Sequence, residues 1–194
     1  QVSRADVEAN FLLPNQGHLS ENPSIDPDET LKNCGVVRVN QVLSNDTALR
    51  LKQYIDQVLD ESIENVANFK VPKGFLFANV LEKQHRWDLL LPFEPTSMDS
   101  IPLLQALNEL LSGPVGSILE STLGPHCELY ELSCLISDPG SNRQEIHPDI
   151  LVQEDGEPVP VVTCFVAVQD VADNMGHTIF IPNTVTIDHQ VRIC

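Results

Sequence analysis

The chain has 194 residues, 42% hydrophobic but only 5% aromatic, enough for one domain of ordinary size whose core rests on Leu, Val and Ile rather than on rings. Acidic residues outnumber basic ones 28 to 11, a formal net charge of −17, and no cluster of Lys and Arg with interleaved aromatics forms a phosphate-binding face. Nucleic acid and anionic membrane are therefore not expected as partners, and no apolar run approaches the roughly 20 residues of a membrane span.

Residues 1–33 mix Pro, Asn, Ser, Asp and Glu around a short apolar patch at Phe11-Leu12-Leu13, and read as an arm over the domain or a partly disordered lead-in. Its acidic character matches neither a secretory signal nor an Arg-rich transit peptide. Gly35-Val36-Val37-Arg38-Val39 then reads as a short strand. Ser44 is placed to cap a helix whose residues Leu51, Tyr54, Ile55, Val58 and Leu59, continuing to Ile63, follow three- and four-residue spacing, with Asp46 near its positive end.

Residues 68–99 carry Phe75, Phe77, Trp87 and Phe93 among Pro and Gly, centred on His85-Arg86-Trp87-Asp88-Leu89-Leu90-Leu91-Pro92. That segment reads as a packed loop or short strand with Arg86 and Asp88 paired at the surface, or as part of a pocket. Ser100 is placed to cap a second helix, with Pro102 in its first turn and Leu103, Leu104, Leu107, Leu110 and Leu111 on one face. A third short helix is expected from Pro114 to about Leu123. Leucine stripes of this kind are core.

After Gly124 the chain becomes β-rich at 128–136, 159–168 and 177–181, with turn signals at Asp138-Pro139-Gly140, Asp155-Gly156 and Asp173-Asn174-Met175-Gly176. Helices followed by antiparallel strands argue an α+β arrangement with a sandwich or barrel-like sheet. Of the five cysteines, Cys34, Cys127, Cys134, Cys164 and Cys194, none forms C-x-x-C, and three sit in apolar strand-like runs. Reduced thiols and an intracellular, cytoplasmic location follow as the expectation.

Within Arg143-Gln144-Glu145-Ile146-His147-Pro148-Asp149, an imidazole and a carboxylate stand two residues apart. On extended backbone such a pair shares one face, because strand side chains alternate with period two. An imidazole nitrogen and a carboxylate oxygen suit Fe(II), as two members of a 2-His-1-carboxylate triad whose second His must come from elsewhere. On the motif alone, a His and an Asp flanking a turn is the commoner meaning.

The series Pro139-Gly140-Ser141, Arg143-Gln144-x-x-His147-x-Asp149, Phe165-Val166-Ala167-Val168-Gln169-Asp170-Val171, Asn174-Met175-Gly176 and Phe180-Ile181-Pro182-Asn183-Thr184 resembles, in order and spacing, the phytanoyl-CoA dioxygenase family of Fe(II)- and 2-oxoglutarate-dependent oxygenases. The opening strand and Ser44 helix resemble that family's N-terminal elements, so the similarity covers roughly residues 34–184. It implies a double-stranded β-helix, a cupin-like jelly roll with N-terminal helices. It further implies His147 and Asp149 as iron ligands and Gln144 near the active site, where hydrogen bonding within the strand is the alternative. The cofactors implied are Fe(II) and the cosubstrate 2-oxoglutarate, used with O2 to hydroxylate an unactivated C–H bond of a small organic substrate.

The departures from the family matter equally. Val185 stands where the family's Pro-Gly-Ser/Thr-His continuation has its pocket His, and the distal iron His and the Arg that grips 2-oxoglutarate come several tens of residues later in the family, whereas this sequence stops at Cys194. His189 and Arg192 lack the family's spacing, and His18, His85, His126 and His177 read as solvated or structural. The expected organisation is an arm at 1–33 and a dioxygenase-like domain at 34–194 without its last strands. Two functions follow from it: an iron oxygenase domain, or a truncated or non-catalytic relative that binds a small molecule or partner. A cupin-like metal protein unrelated to 2-oxoglutarate ranks below both. An unclosed sheet would expose edge groups and an apolar face, favouring poor solubility or self-association.

Overall fold

In a computed structural model of the chain, residues 26–81, 83–94, 96–147, 149 and 161–184 are described. They form helices and a two-stranded antiparallel sheet, an α+β arrangement.

The first helix among the described residues, α1 (Pro27–Cys34), falls within the expected arm except for its last residue. It is built from its ends. The Asp26 carboxylate accepts from the Asp28 N–H at 2.9 Å, Pro27 opens the first turn, and Gly35, at φ 73°, closes the last by donating to Leu31 O at 2.8 Å. None of its residues is buried, so it lacks the apolar stripe by which helices are usually recognised. Gly35 thus serves as a left-handed cap, and 36–39, expected as a strand, stands in no ladder among the described residues.

Helix α2 (Asn45–Ala67) starts where expected, with Ser44 Oγ accepting from the Thr47 N–H at 3.2 Å. Leu51 and Ile55 are buried on its inner face, and the stripe runs on through Val58 and Leu59 to Val66, leaving Ile63 42% exposed. Helix α3 (Ile101–Leu111) buries Leu103 and Ala106 against α2, while Leu111, expected on the same face, is exposed. Ser100 stands at its N-cap, yet its hydroxyl accepts from the Glu94 N–H at 3.3 Å rather than from the helix. Helix α4 (Pro114–Leu123) follows at once. A Cβ on Gly116 would lie 1.9 Å from Leu111 O, so only glycine lets α4 begin this close to the end of α3.

Strand β1 (Arg86–Leu90) pairs antiparallel with β2 (Ser133–Ser137), from Arg86 opposite Ser137 to Leu90 opposite Ser133. On its other edge, Ala78 N donates to Asp88 O at 2.8 Å and Leu90 N to Leu76 O at 3.0 Å. The strand is therefore flanked on both sides. Leu89 is wholly buried and gathers Leu51, Ile55, Phe77, Leu103 and Ala106 around it, with Trp87, Cys134 and Ile136 packed against the cluster. Arg86 and Asp88 alternate with these residues and so occupy the opposite face. Residues 161–168 and 177–181, marked as strands by composition, stand in no ladder among the described residues.

Candidate functional site

The segment that leads to His147 is anchored at one end by a knot of three chain segments. The first is the entrance to β1, where His85 adopts φ 57° and presents its carbonyl to the Asp138 N–H at 2.9 Å. The second is the turn Asp138-Pro139-Gly140-Ser141, closed by Ser141 N donating to Asp138 O at 3.0 Å, with Pro second and Gly140 at φ 96° third, as a type II turn requires. The buried Ser141 hydroxyl lies 2.6 Å from His85 O and 2.8 Å from Asp138 O, its single proton shared between them. The third is the 3₁₀ turn Asp173–Met175 with Gly176, where Asn174 O accepts from Gly140 N at 3.0 Å.

Arg86 ties these segments together. Only 4% exposed, it directs Nη2 at Asn142 O, 2.9 Å away, and at Gly176 O, 3.0 Å away. The expected position of Arg86 at the surface is overturned: its guanidinium points inward, where backbone carbonyl dipoles offset the loss of hydration that a buried charge suffers. Gly176 is part of the same fit. At φ 59° it is left-handed, and a Cβ there would lie 2.5 Å from Arg86 Nη2 and 2.8 Å from Asn142 O. Asp88, two residues along the strand, has its carboxyl raised above the usual range, chiefly by burial and secondarily by the Glu131 charge, against a lowering hydrogen bond from Ser133.

Beyond Asn142 the chain runs out to the surface. Gln144 is half-buried, while His147 and Asp149 are exposed. Among the described residues, 141–147 stand in no ladder, so no pairing seen there enforces the side-chain alternation expected of a strand. His147 Nδ1 lies 2.7 Å from Glu145 O. A carbonyl only accepts, so this bond puts the proton on Nδ1 and leaves the Nε2 lone pair as the one that can bind a metal.

The donor types at His147 and Asp149 match those of an Fe(II) site, but their number does not. Among the described residues no group of three His, Cys, Asp or Glu side chains could hold a metal ion. His85 and His126 are exposed and His177 half-buried, and none of them joins such a group. His18, His189 and Arg192 lie outside the described residues. His147 and Asp149 supply two donors where the expected triad needs three, and they carry no reaction step through iron.

Sequence reasoning found the turns at 138–141 and 173–176 but missed that Arg86 joins them. The available signal was an arginine within the β-like run 85–91 of a strongly acidic chain, together with two Gly-containing turns whose outward carbonyls need a donor. Among the described residues no helix is long and apolar enough to cross a membrane. Compared with protein-family profiles, with curated proteins and with solved structures, the chain has no match.

Proposed function

We propose that the chain is a non-haem Fe(II)/2-oxoglutarate-dependent dioxygenase domain acting on a small organic substrate, with His147 and Asp149 as two iron ligands and Gln144 beside them. The double-stranded β-helix belongs to the same proposal. The observation that carries it is the convergence at Arg86. Two segments of the family-like series, Pro139-Gly140-Ser141 and Asn174-Met175-Gly176, meet there through Gly140 N and the Asn142 and Gly176 carbonyls, and the chain passes from that knot to His147 within a few residues. A chance collection of turn motifs has no reason to assemble next to a His-x-Asp pair. The Nδ1 bond to Glu145 O supports the reading, since it leaves the nitrogen that a metal would need. The four described cysteines are all free, which supports an intracellular, cytoplasmic location.

A second reading, a non-catalytic relative that binds a small molecule or a partner, draws on the count of two donors among the described residues. One experiment separates the two. The full chain is titrated anaerobically with Fe(II) and 2-oxoglutarate while the visible charge-transfer band of the chelated metal is followed, with His147→Ala alongside. The dioxygenase reading expects the band in the native chain and its loss in the variant. No band in the native chain sinks that reading and leaves the binding domain.

A further inference from the structure

Among the described residues no sheet pairing sets the position of the His147 ring, because 141–147 stand in no ladder there. Two of the bonds that hold the inner end of that segment come from one nitrogen of one side chain. Arg86 Nη2 has two hydrogens, and the carbonyls of Asn142 and Gly176 take one each. Those carbonyls come from parts of the chain 56 and 90 residues beyond Arg86, so the guanidinium joins segments that local sequence cannot hold together. The remaining bonds of the knot run between its backbone segments and the Ser141 hydroxyl, Asp138 N to His85 O and Gly140 N to Asn174 O among them. They place both turns around the guanidinium.

We propose that Arg86 is the positioning residue of the His147–Asp149 segment, its guanidinium locking the 138–142 and 173–176 turns into one frame from which that segment projects. Lysine cannot take over fully: its strongly hydrated ammonium swings three rotatable hydrogens on a flexible stem, whereas the guanidinium plane holds the two Nη2 hydrogens in fixed directions. Gly176 is the matching half of the lock, since a side chain there would meet both Nη2 and the Asn142 carbonyl. The frame stands on this geometry alone. Its consequence for metal affinity rests on the dioxygenase reading, because an outer residue that orients a ligand changes metal affinity by roughly ten- to a hundredfold.

The test is hydrogen exchange followed by mass spectrometry on the full chain, comparing native protein with Arg86→Met, Arg86→Lys and Gly176→Ala. Peptides over 138–147 and 173–184 report the frame, and 45–67 is the internal reference. Exchange in both turn peptides should rise about tenfold or more in Arg86→Met and in Gly176→Ala, less in Arg86→Lys, with the reference unchanged. Unchanged turn exchange in both Arg86→Met and Gly176→Ala overturns the proposal. So does equal acceleration of the reference in Arg86→Lys and Gly176→Ala, for Arg86 would then act on the whole fold. Co(II) binding, read in parallel by its visible spectrum, should weaken about tenfold in Arg86→Lys. Failure of the native chain to bind Co(II) sinks the metal reading, and the exchange data still decide the frame.

Discussion

Replacing Leu89 by Ala should be the most damaging single truncation in the described core. Leu89 is the one large side chain there with no exposure at all, sitting between α2, α3 and Phe77. Removing the carbons beyond Cβ loses about 2.4 kcal/mol of transfer free energy at ~0.8 kcal/mol per methylene. The surroundings collapse only partly, because β1 is held on both edges, by β2 and by the 76–78 segment. A residual cavity of about 50 Å³ adds roughly 1 kcal/mol. The sum, about 3.5 kcal/mol, is a large part of the ~5–15 kcal/mol that holds a typical domain folded. Urea unfolding followed by far-UV circular dichroism of the helices measures it, with Leu129→Ala as control. Leu129 is 63% exposed, and its truncation should stay within about 0.5 kcal/mol. A Leu89→Ala loss below about 1 kcal/mol, at unchanged denaturant dependence, would refute the assignment of the core to this cluster.

Hydrogen bonds from Thr47 and from the Ser44 backbone N–H hold the Glu109 carboxyl below its usual range. A folded value below the unfolded one stabilises fully above the unfolded pKa, about 4.3, and the benefit disappears as pH falls through the folded value. Glu109→Gln should therefore flatten the acid limb of a Tm-against-pH curve, and an unchanged limb would show that this carboxylate does not couple α3 to the start of α2. Burial, aided by the Asp88 and Asp56 charges, pushes the Cys134 thiol up to about 11. At pH 8 about one molecule in a thousand then carries the thiolate, so iodoacetamide should label the exposed Cys127 well ahead of Cys134, and peptide mass spectra showing equal rates would contradict the burial. Phe165 and Phe180 stack edge to face at 5.5 Å while each stays about half exposed, at 50% and 46%. Sedimentation should show concentration-dependent association that Phe165→Ser reduces, whereas a monodisperse native chain would count against an adhesive face.

Helices α2 and α3 were legible in sequence because two independent signals agreed at each, a cap residue at the start and leucines or isoleucines at helical spacing, while α4 was marked by Pro114 at its start. Helix α1 escaped for lack of the second signal, although Asp26, Pro27 and Gly35 mark both its ends. The β-rich texture after Gly124 located β2 but not its bounds, since 128–132 and 133–137 each carry three apolar residues in five and pairing with β1 is what distinguishes them. At the candidate site, Pro139-Gly140 and Gly176 announced their turns through backbone chemistry. Arg86 could not announce its role, because its partners are carbonyls, which every residue has, and they are chosen by three-dimensional proximity.

The two strands of the sheet are not joined by a hairpin. The chain between Leu90 and Ser133 holds both α3 and α4, so pairing must close a long loop before it gains any bond. The entropy of that closure is roughly 3 kcal/mol beyond a constant. Helical pairs with local contacts form first on such terms, and β1 zips onto β2 late. During refolding, helical ellipticity should appear ahead of the change in Trp87 emission, the chain's single tryptophan lying on the late-forming strand. The turn at 138–142 follows β2 directly in the chain, so the frame around Arg86 should close only once β2 has paired.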